Sequence, residues 1–356
     1  MPQDDPGMPP CPSRRGVLTW GIGAVAAMSL AACGIRLEDD APRIPLIPTR
    51  QPIPGESFLL ALWRHSDDLA ERATSLGGPA NGAPARLAAL HRRQVTALES
   101  ELLRLGVPRK VLDTAAAGPS ATGTASGTGT ATGTATGAGT GTATGGSATP
   151  SGGSTATATS APSVKGPKGL AAEEASDLGP TAVASLATVP STAIPLIGSV
   201  LAQRAAAAIL LGAPATWPEP SWSAPSLAAS YLDSTRAAVY AFEVVAAQSQ
   251  TGPQHTLALA TLAALESRAQ DQESLAGASA GPPDLGYPLP FPVTTAGSAR
   301  KLAAQVLTEL RASVARDMGS TGGDVGPLGA LVQWLADTEV LASQWGVKLS
   351  AFPGLT

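Results

Sequence analysis

Cysteine, histidine and aromatic residues are scarce in this sequence of 356 residues. It has two cysteines, three histidines and an aromatic fraction of 4%. Cys11 precedes the cleavage site predicted below, so the mature chain would hold no second cysteine for a disulfide. With few Phe, Tyr and Ile, the core must be built from Ala, Leu and Val, and a composition rich in Ala and Leu favours helices over sheets. The sequence therefore predicts an all-α protein.

A strong charge of either sign is also missing. The formal net charge is -4, and the sequence has neither a basic patch nor the aromatic platform that nucleic-acid binding uses. Nucleic acid is therefore excluded as a predicted partner.

The N-terminal segment carries two adjacent arginines, Arg14 and Arg15, before an apolar stretch at 17–32 that is rich in Gly and Ala. The stretch is too short for a spanning helix, which needs roughly 20 apolar residues. Paired arginines before a weakly hydrophobic stretch are typical of a twin-arginine export signal, a route that carries folded proteins. The alternative is an ordinary secretory signal that contains two arginines.

The apolar stretch ends in Leu30-Ala31-Ala32-Cys33, which has the pattern of a lipoprotein cleavage box. Residues 1–32 are then the signal peptide, and the thiol of Cys33 accepts the lipid. The alternative is a buried cysteine after a non-lipid cleavage site. The predicted partner is membrane lipid through the acylated Cys33, as with palmitate, and the predicted location is the outer face of the cytoplasmic membrane.

The mature chain divides into five segments. Residues 33–54 are a Pro-rich tether, and residues 55–213 form a first helical bundle. That bundle is interrupted at 118–165 by Ala, Thr, Gly and Ser, too polar to bury a core, so this insert is predicted to be disordered. A connector rich in Pro and Trp follows at 214–224, and residues 225–356 form a second bundle.

Hydrophobic periodicity predicts four helices in each bundle. In the first bundle they lie at about 56–76, 86–105, 169–188 and 194–211. In the second bundle they lie at about 225–250, 254–276, 296–318 and 326–346.

The two halves of the chain resemble each other. Residues 87–94 recur at 262–270 with one inserted residue, and residues 201–212 recur at 335–346. In both halves a long interruption separates the second and third helices, and duplication explains the common order. A ferritin-like four-helix bundle has its one long crossover at this place, so the pattern predicts two ferritin-like bundles.

Three motifs in the second half make residues 225–356 similar to an uncharacterised family of ferritin-like domains found in bacterial exported proteins. They are Arg236-Ala237-Ala238-Val239-Tyr240-Ala241-Phe242, Leu289-Pro290-Phe291-Pro292-Val293 and Ala351-Phe352-Pro353-Gly354-Leu355. The first half resembles the same fold through the internal repeat. The resemblance implies a four-helix bundle able to hold two metal ions.

The metal ligands of ferritin-like proteins are not matched here. Such a site takes a Glu from each of two helices and Glu-x-x-His from the other two. The sequence has no Glu-x-x-His, and Thr235 and Arg236 stand where the resemblance implies a Glu-His pair. The second half has one Glu in each helix, which we interpret as surface carboxylates: Glu243, Glu266, Glu309 and Glu339. No cofactor is predicted, with iron or manganese as the alternative.

Four polar residues of the first half lie on or beside the apolar faces of its helices: His65, His91, Glu174 and Arg204. A buried Arg needs a carboxylate partner, because an unpaired buried charge costs several kcal/mol. We hypothesise that Arg204 pairs with Glu174, with the histidines hydrogen-bonded nearby. The alternative is that His65 and Arg204 lie at the edge of the core and reach water.

These observations predict a membrane-anchored lipoprotein whose helical bundles are a binding or structural module for a protein or small-molecule partner. The alternative is a ferritin-like metal-binding or oxidase protein with an unusual site. No catalytic residue is predicted.

Overall fold

The computed structural model describes residues 50–117 and 166–355, and within them every regular element is helical. This confirms the predicted all-α class. The predicted signal peptide with Arg14, Arg15 and Cys33, most of the tether, and the insert at 118–165 lie outside the described residues. The first half contains α1 Glu56–Ser75, α2 Ala83–Arg104, α3 Arg109–Ala116, α4 Pro167–Ala175, α5 Pro180–Leu186 and α6 Ile194–Leu210. The second half contains α7 Pro225–Gln248, α8 Pro253–Ala276, α9 Ala296–Arg316 and α10 Val325–Gln344.

The four helices of the second half begin and end close to their predicted positions. Local signals explain the starts: α7 and α8 have Pro in their first turn, where a missing N–H costs nothing. The N-terminus of α9 has a capping box between Thr295 and Ser298, whose side chains bond each other's backbone N–H. The longest connection of the second half lies between α8 and α9, the place of the crossover in a ferritin-like bundle.

The first half departs from the prediction in two places. The helix predicted at 169–188 is two helices, α4 and α5, because Pro180 follows Gly179 and a proline cannot continue the hydrogen bonding of a preceding turn. Between them the backbone of Asp177 is left-handed, with φ 56°. The short helix α3 was not predicted. Its N-cap is Pro108, which follows the end of α2 and directly precedes the first residue of α3.

The last helices of the two halves, α6 and α10, pack along each other and share the main hydrophobic cluster. Both are buried around most of their circumference; every residue of α6 from Ile197 to Ala208 is buried. A helix that is apolar on all sides belongs in the interior. Small side chains let the two helices approach each other closely. The polar residues of α6 are buried together with its apolar residues: Ser199, Gln203 and Arg204.

The C-terminal segment after α10 packs against helices of both halves. Ala351 is buried, Phe352 packs on the hydrophobic clusters, and Ser199 of α6 donates from Oγ to the Pro353 carbonyl oxygen at 2.8 Å. Gly354 adopts φ +80° directly against α9, where a Cβ would collide with the Arg311 carbonyl oxygen and with the Cβ of Ala315. Only glycine suits such a close approach with this backbone conformation.

The tryptophans of the second half belong to the core. Trp334 stacks on Trp222 with ring centroids 5.5 Å apart, and Trp345 meets Phe242 edge-on at 5.6 Å. The described residues from Gln51 onward form one compact unit, and the division into two domains at 214–224 stays a prediction. Within the described ranges, no helix is both long enough and apolar enough to cross a membrane.

Candidate functional site

Two of the four polar residues predicted in the first half are directly bonded. His91 of α2 and Glu174 of α4 are both fully buried, and His91 Nε2 lies 2.7 Å from Glu174 Oε1. The apolar face of α2 carries His91 into the core because Leu87, Leu90 and Leu98 share that face. Tertiary packing therefore brings together two groups that lie 83 positions apart.

The hydrogen bonds of Gln94 determine which ring nitrogen of His91 donates to it. Gln94 Nε2 donates to the carbonyl oxygen of Ala351 at 3.0 Å, and a carbonyl oxygen can only accept. The other end of the amide, Oε1, therefore faces His91 Nδ1, at 2.9 Å. Because Oε1 is an acceptor, His91 donates from Nδ1, and one proton is left to be shared between His91 Nε2 and Glu174 Oε1. Wherever that proton resides, the His91–Glu174 pair has no net charge.

The same network reaches α6 and the C-terminal segment. Gln94 Nε2 also donates to Gln203 Oε1 at 2.7 Å, so one amide joins α2, α6 and the backbone of Ala351. Buried polar groups are stable when they are hydrogen-bonded in this way. Two atoms of the network, Glu174 Oε2 and Gln203 Nε2, are buried without a partner among the described residues.

Arg204 is buried, but its hydrogen bonds differ from the hypothesis. Its Nη2 donates to three backbone carbonyl oxygens, of Ser176 at 2.6 Å, Glu173 at 3.3 Å and Glu174 at 3.4 Å. No carboxylate of the described chain forms an ion pair with Arg204; Glu174 Oε1 is bonded to His91 instead. Burial lowers the pKa of Arg204 to about 10, against the opposing influence of the Glu174 and Asp177 charges. The guanidinium therefore holds the turn after α4 through its backbone.

His65 of α1 is half-buried and lies beside the same turn. Its Nε2 is 3.2 Å from the Glu173 carbonyl oxygen and 3.4 Å from Ser176 Oγ. Burial, and next the nearby Arg204 charge, lower the pKa of His65, so its imidazole is neutral near pH 7. The structure thus brings His91 and Glu174 together in one network, and His65 and Arg204 together at the adjoining turn.

A pocket of about 400 Å³ opens beside Arg204. Its walls are mostly apolar and come from α1, α5 and α6, with Phe58, Leu62 and Leu201 among them. Three titratable side chains also line it: His65, Asp177 and Arg204. The pocket has the size and lining of many small-ligand sites, which measure about 300–1,000 Å³.

The second half contains a buried ion pair that the sequence interpretation missed. Glu339 of α10 was expected at the surface, yet it is fully buried and pairs with Arg311 of α9. Its other oxygen, Oε1, accepts from the backbone N–H of Ser350 at 2.6 Å. The signal for burial was present: α10 is apolar on nearly all sides, and Arg311 lies on the same face of α9 as Leu307 and Val314.

The other three glutamates that were expected at the surface of the second half are exposed: Glu243, Glu266 and Glu309. Within the part of the chain that the structure describes, no group of three or more His, Cys, Asp and Glu side chains is placed to hold a metal ion.

One Gly-x-Ser-x-Gly spacing occurs, at Gly277-Ala278-Ser279-Ala280-Gly281. In the nucleophile elbow of hydrolases this motif joins a strand to a helix. Here it is a short 3-10 turn at the end of α8, and the histidine of that helix, His255, lies near its opposite end. The context needed for a nucleophilic serine is not met by these residues.

The comparisons with known proteins agree with part of the sequence prediction. Residues 228–356 match the model of a family described as "Domain of unknown function (DUF4439)". Neither the search of curated proteins nor the search of solved structures found a match. The second half of the chain is thus similar to an uncharacterised domain family, while the twin-arginine lipoprotein signal stays a prediction.

Proposed function

We propose that this chain is an exported lipoprotein, anchored by Cys33 to the outer face of the cytoplasmic membrane, whose helical unit is a binding or structural module. The N-terminal segment supplies the export signal and the lipidation site, and the polar groups in the helical core stabilise the fold.

One observation carries the proposal for the helical unit. Several polar side chains in its interior bond one another and the C-terminal backbone: Gln94 donates to the Ala351 carbonyl oxygen, and Glu339 accepts from the Ser350 N–H. In a ferritin-like enzyme, inward-facing carboxylates and histidines bind metal instead. Here His91, Glu174 and Glu339 are used in contacts that hold the helices and the C-terminal segment together.

The anchor is supported by the residues of the N-terminal segment. Arg14 and Arg15 precede the apolar stretch, and Cys33 follows Leu30-Ala31-Ala32. Two or three acyl chains at Cys33 would hold the protein at the membrane firmly, since each buried methylene adds ~0.8 kcal/mol.

The anchor is tested by labelling cells with radioactive palmitate and separating membranes from the soluble fraction. The unmodified chain is expected to be labelled and to sediment with membranes, while Cys33→Ala is expected to be unlabelled and released. Cys11→Ala is the matched control, because Cys11 lies within the segment that cleavage removes. Equal labelling of the Cys33→Ala variant would contradict the anchor.

The export route is tested with Arg14→Lys combined with Arg15→Lys. A twin-arginine signal needs both arginines, so the protein is expected to accumulate inside the cell. Normal export of this variant would indicate an ordinary secretory signal.

Metal analysis tests the role of the helical unit. Protein purified without chelator is expected to contain far less than one iron or manganese ion per chain. Stoichiometric iron or manganese, lost together with Glu174→Gln or Glu339→Gln, would overturn the structural role of these carboxylates and support a ferritin-like metal protein.

A further inference from the structure

The pocket beside Arg204 combines apolar walls with a single buried positive charge. Phe58, Leu62 and Leu201 supply apolar surface, and Arg204, a residue only 1% exposed, is also among the residues that line the pocket. His65 also lines the pocket but is neutral near pH 7, because burial lowers its pKa. The positive charge of the pocket therefore comes from Arg204.

Within the described residues no carboxylate forms an ion pair with the Arg204 guanidinium, although the charges of Glu174 and Asp177 raise its pKa. Glu174 forms a pair with His91 that has no net charge, because Gln94 makes His91 donate from Nδ1. The hydrogen bonds of Arg204 leave from Nη2 and end on backbone carbonyls, while its Nε has no partner among the described residues. A guanidinium has five N–H donors and binds carboxylates well, so capacity for an anion remains.

We propose that this pocket binds a small monocarboxylate with an apolar body, whose carboxylate faces Arg204 and whose body lies against Phe58, Leu62 and Leu201. The proposal names a ligand class for the binding role proposed above, and it rests on that role. Binding is measured independently of acylation at Cys33, so either proposal can fail alone. The volume of about 400 Å³ suits a small amphiphile and excludes a diacyl lipid.

Asp177 sets an opposing charge at the same pocket. It is exposed, lines the pocket and has a left-handed backbone with φ 56°. Asn adopts this conformation as readily as Asp, so Asp177→Asn removes the charge without straining the turn. An anionic ligand is repelled by Asp177, and the substitution is expected to strengthen its binding.

The test is calorimetric titration of the full-length protein, purified without detergent, with octanoate, 1-octanol and acetate. Octanoate is expected to bind at least tenfold more tightly than 1-octanol, which lacks the charge, and than acetate, which lacks the apolar body. Arg204→Gln is expected to abolish the preference for octanoate over 1-octanol.

Two further variants keep the proposal testable if Arg204→Gln does not fold. Ala61 is exposed and lines the pocket, so Ala61→Phe is expected to fill it and to reduce octanoate binding at least tenfold. Ala263→Phe, on the exposed face of α8, is the matched control and is expected to bind as the unmodified chain does. Asp177→Asn is expected to tighten octanoate binding and leave 1-octanol unchanged.

The proposal is overturned if octanoate does not bind or binds no better than 1-octanol. It is equally overturned if Ala61→Phe and Ala263→Phe have the same affinity for octanoate, which would place the binding elsewhere.

Discussion

Gln94 in the second helix donates from Nε2 to the carbonyl oxygen of Ala351, 257 positions further along the chain, at 3.0 Å. This hydrogen bond places the C-terminal segment inside the core of the first half. A second bond, from the Ser350 N–H to Glu339 Oε1, attaches the same segment to α10. The C-terminal segment is therefore a structural element that links helices of both halves, and its contacts should contribute to global stability.

Substitution of Gly354 tests this link. Gly354→Ala is expected to lower the free energy of unfolding by more than ~2 kcal/mol, because strain at φ +80° adds to collision with α9. Gly346→Ala is the matched control: Gly346 has φ +88° but nothing within 4 Å of its added Cβ, so a loss of about 1 kcal/mol is expected. Denaturant unfolding of both variants measures the difference, and equal losses would show that the contact with α9 contributes nothing.

The buried Arg311–Glu339 pair is expected to matter far more than a surface pair. Glu339→Gln leaves Arg311 charged in the core and should cost ~3–5 kcal/mol in unfolding free energy. Glu99→Gln breaks the pair with Arg109, whose side chains are 36% and 68% exposed, and should cost less than about 1 kcal/mol. Urea unfolding measures both; a loss in Glu339→Gln as small as that in Glu99→Gln would rule out the expected contribution of the buried pair.

The shared proton of His91 and Glu174 predicts strong coupling between them. Glu174→Leu alone leaves Nε2 of His91 without a hydrogen-bond partner in the core and should cost ~1–3 kcal/mol. The double variant His91→Leu with Glu174→Leu replaces both groups, so its loss should be at least ~1 kcal/mol smaller than the sum of the single losses. A double-mutant cycle from thermal or urea unfolding gives the coupling; additive losses would mean that the two side chains act independently.

His65 predicts a dependence of stability on pH. Burial lowers the pKa of His65 in the folded protein, while the unfolded chain titrates near 6.5. The unfolded state therefore takes up more protons as the pH falls below about 6.5, and acidification lowers the free energy of unfolding. In His65→Gln this contribution disappears, so the loss of stability on acidification is expected to be smaller. Unfolding curves of both proteins across this range test it, and parallel pH profiles would contradict the assignment.

Only part of the candidate site could be predicted from sequence patterns. The positions of His91, Glu174 and Arg204 on apolar faces were readable from the chain, since helical periodicity assigns residues to faces. The bonding among them was not, because it depends on how α2, α4 and α6 are oriented. Arg204 bonds backbone carbonyls rather than the side chain of Glu174, since the break before Pro180 turns the carbonyls of 173–176 towards the guanidinium.

The amino-acid sequence by itself determined the all-α class, the approximate ends of α1, α2 and the last five helices, and the similarity of the second half to a domain family. The all-α class and the helix ends follow from local causes: Ala and Leu propensity, apolar periodicity, and Pro and Gly at helix ends. Only the tertiary structure decided that α6 and α10 pack together, that Glu339 pairs with Arg311, and that Ala351 accepts a hydrogen bond from Gln94. These contacts join residues far apart in the chain, and no local preference specifies which distant partner a buried polar group will meet.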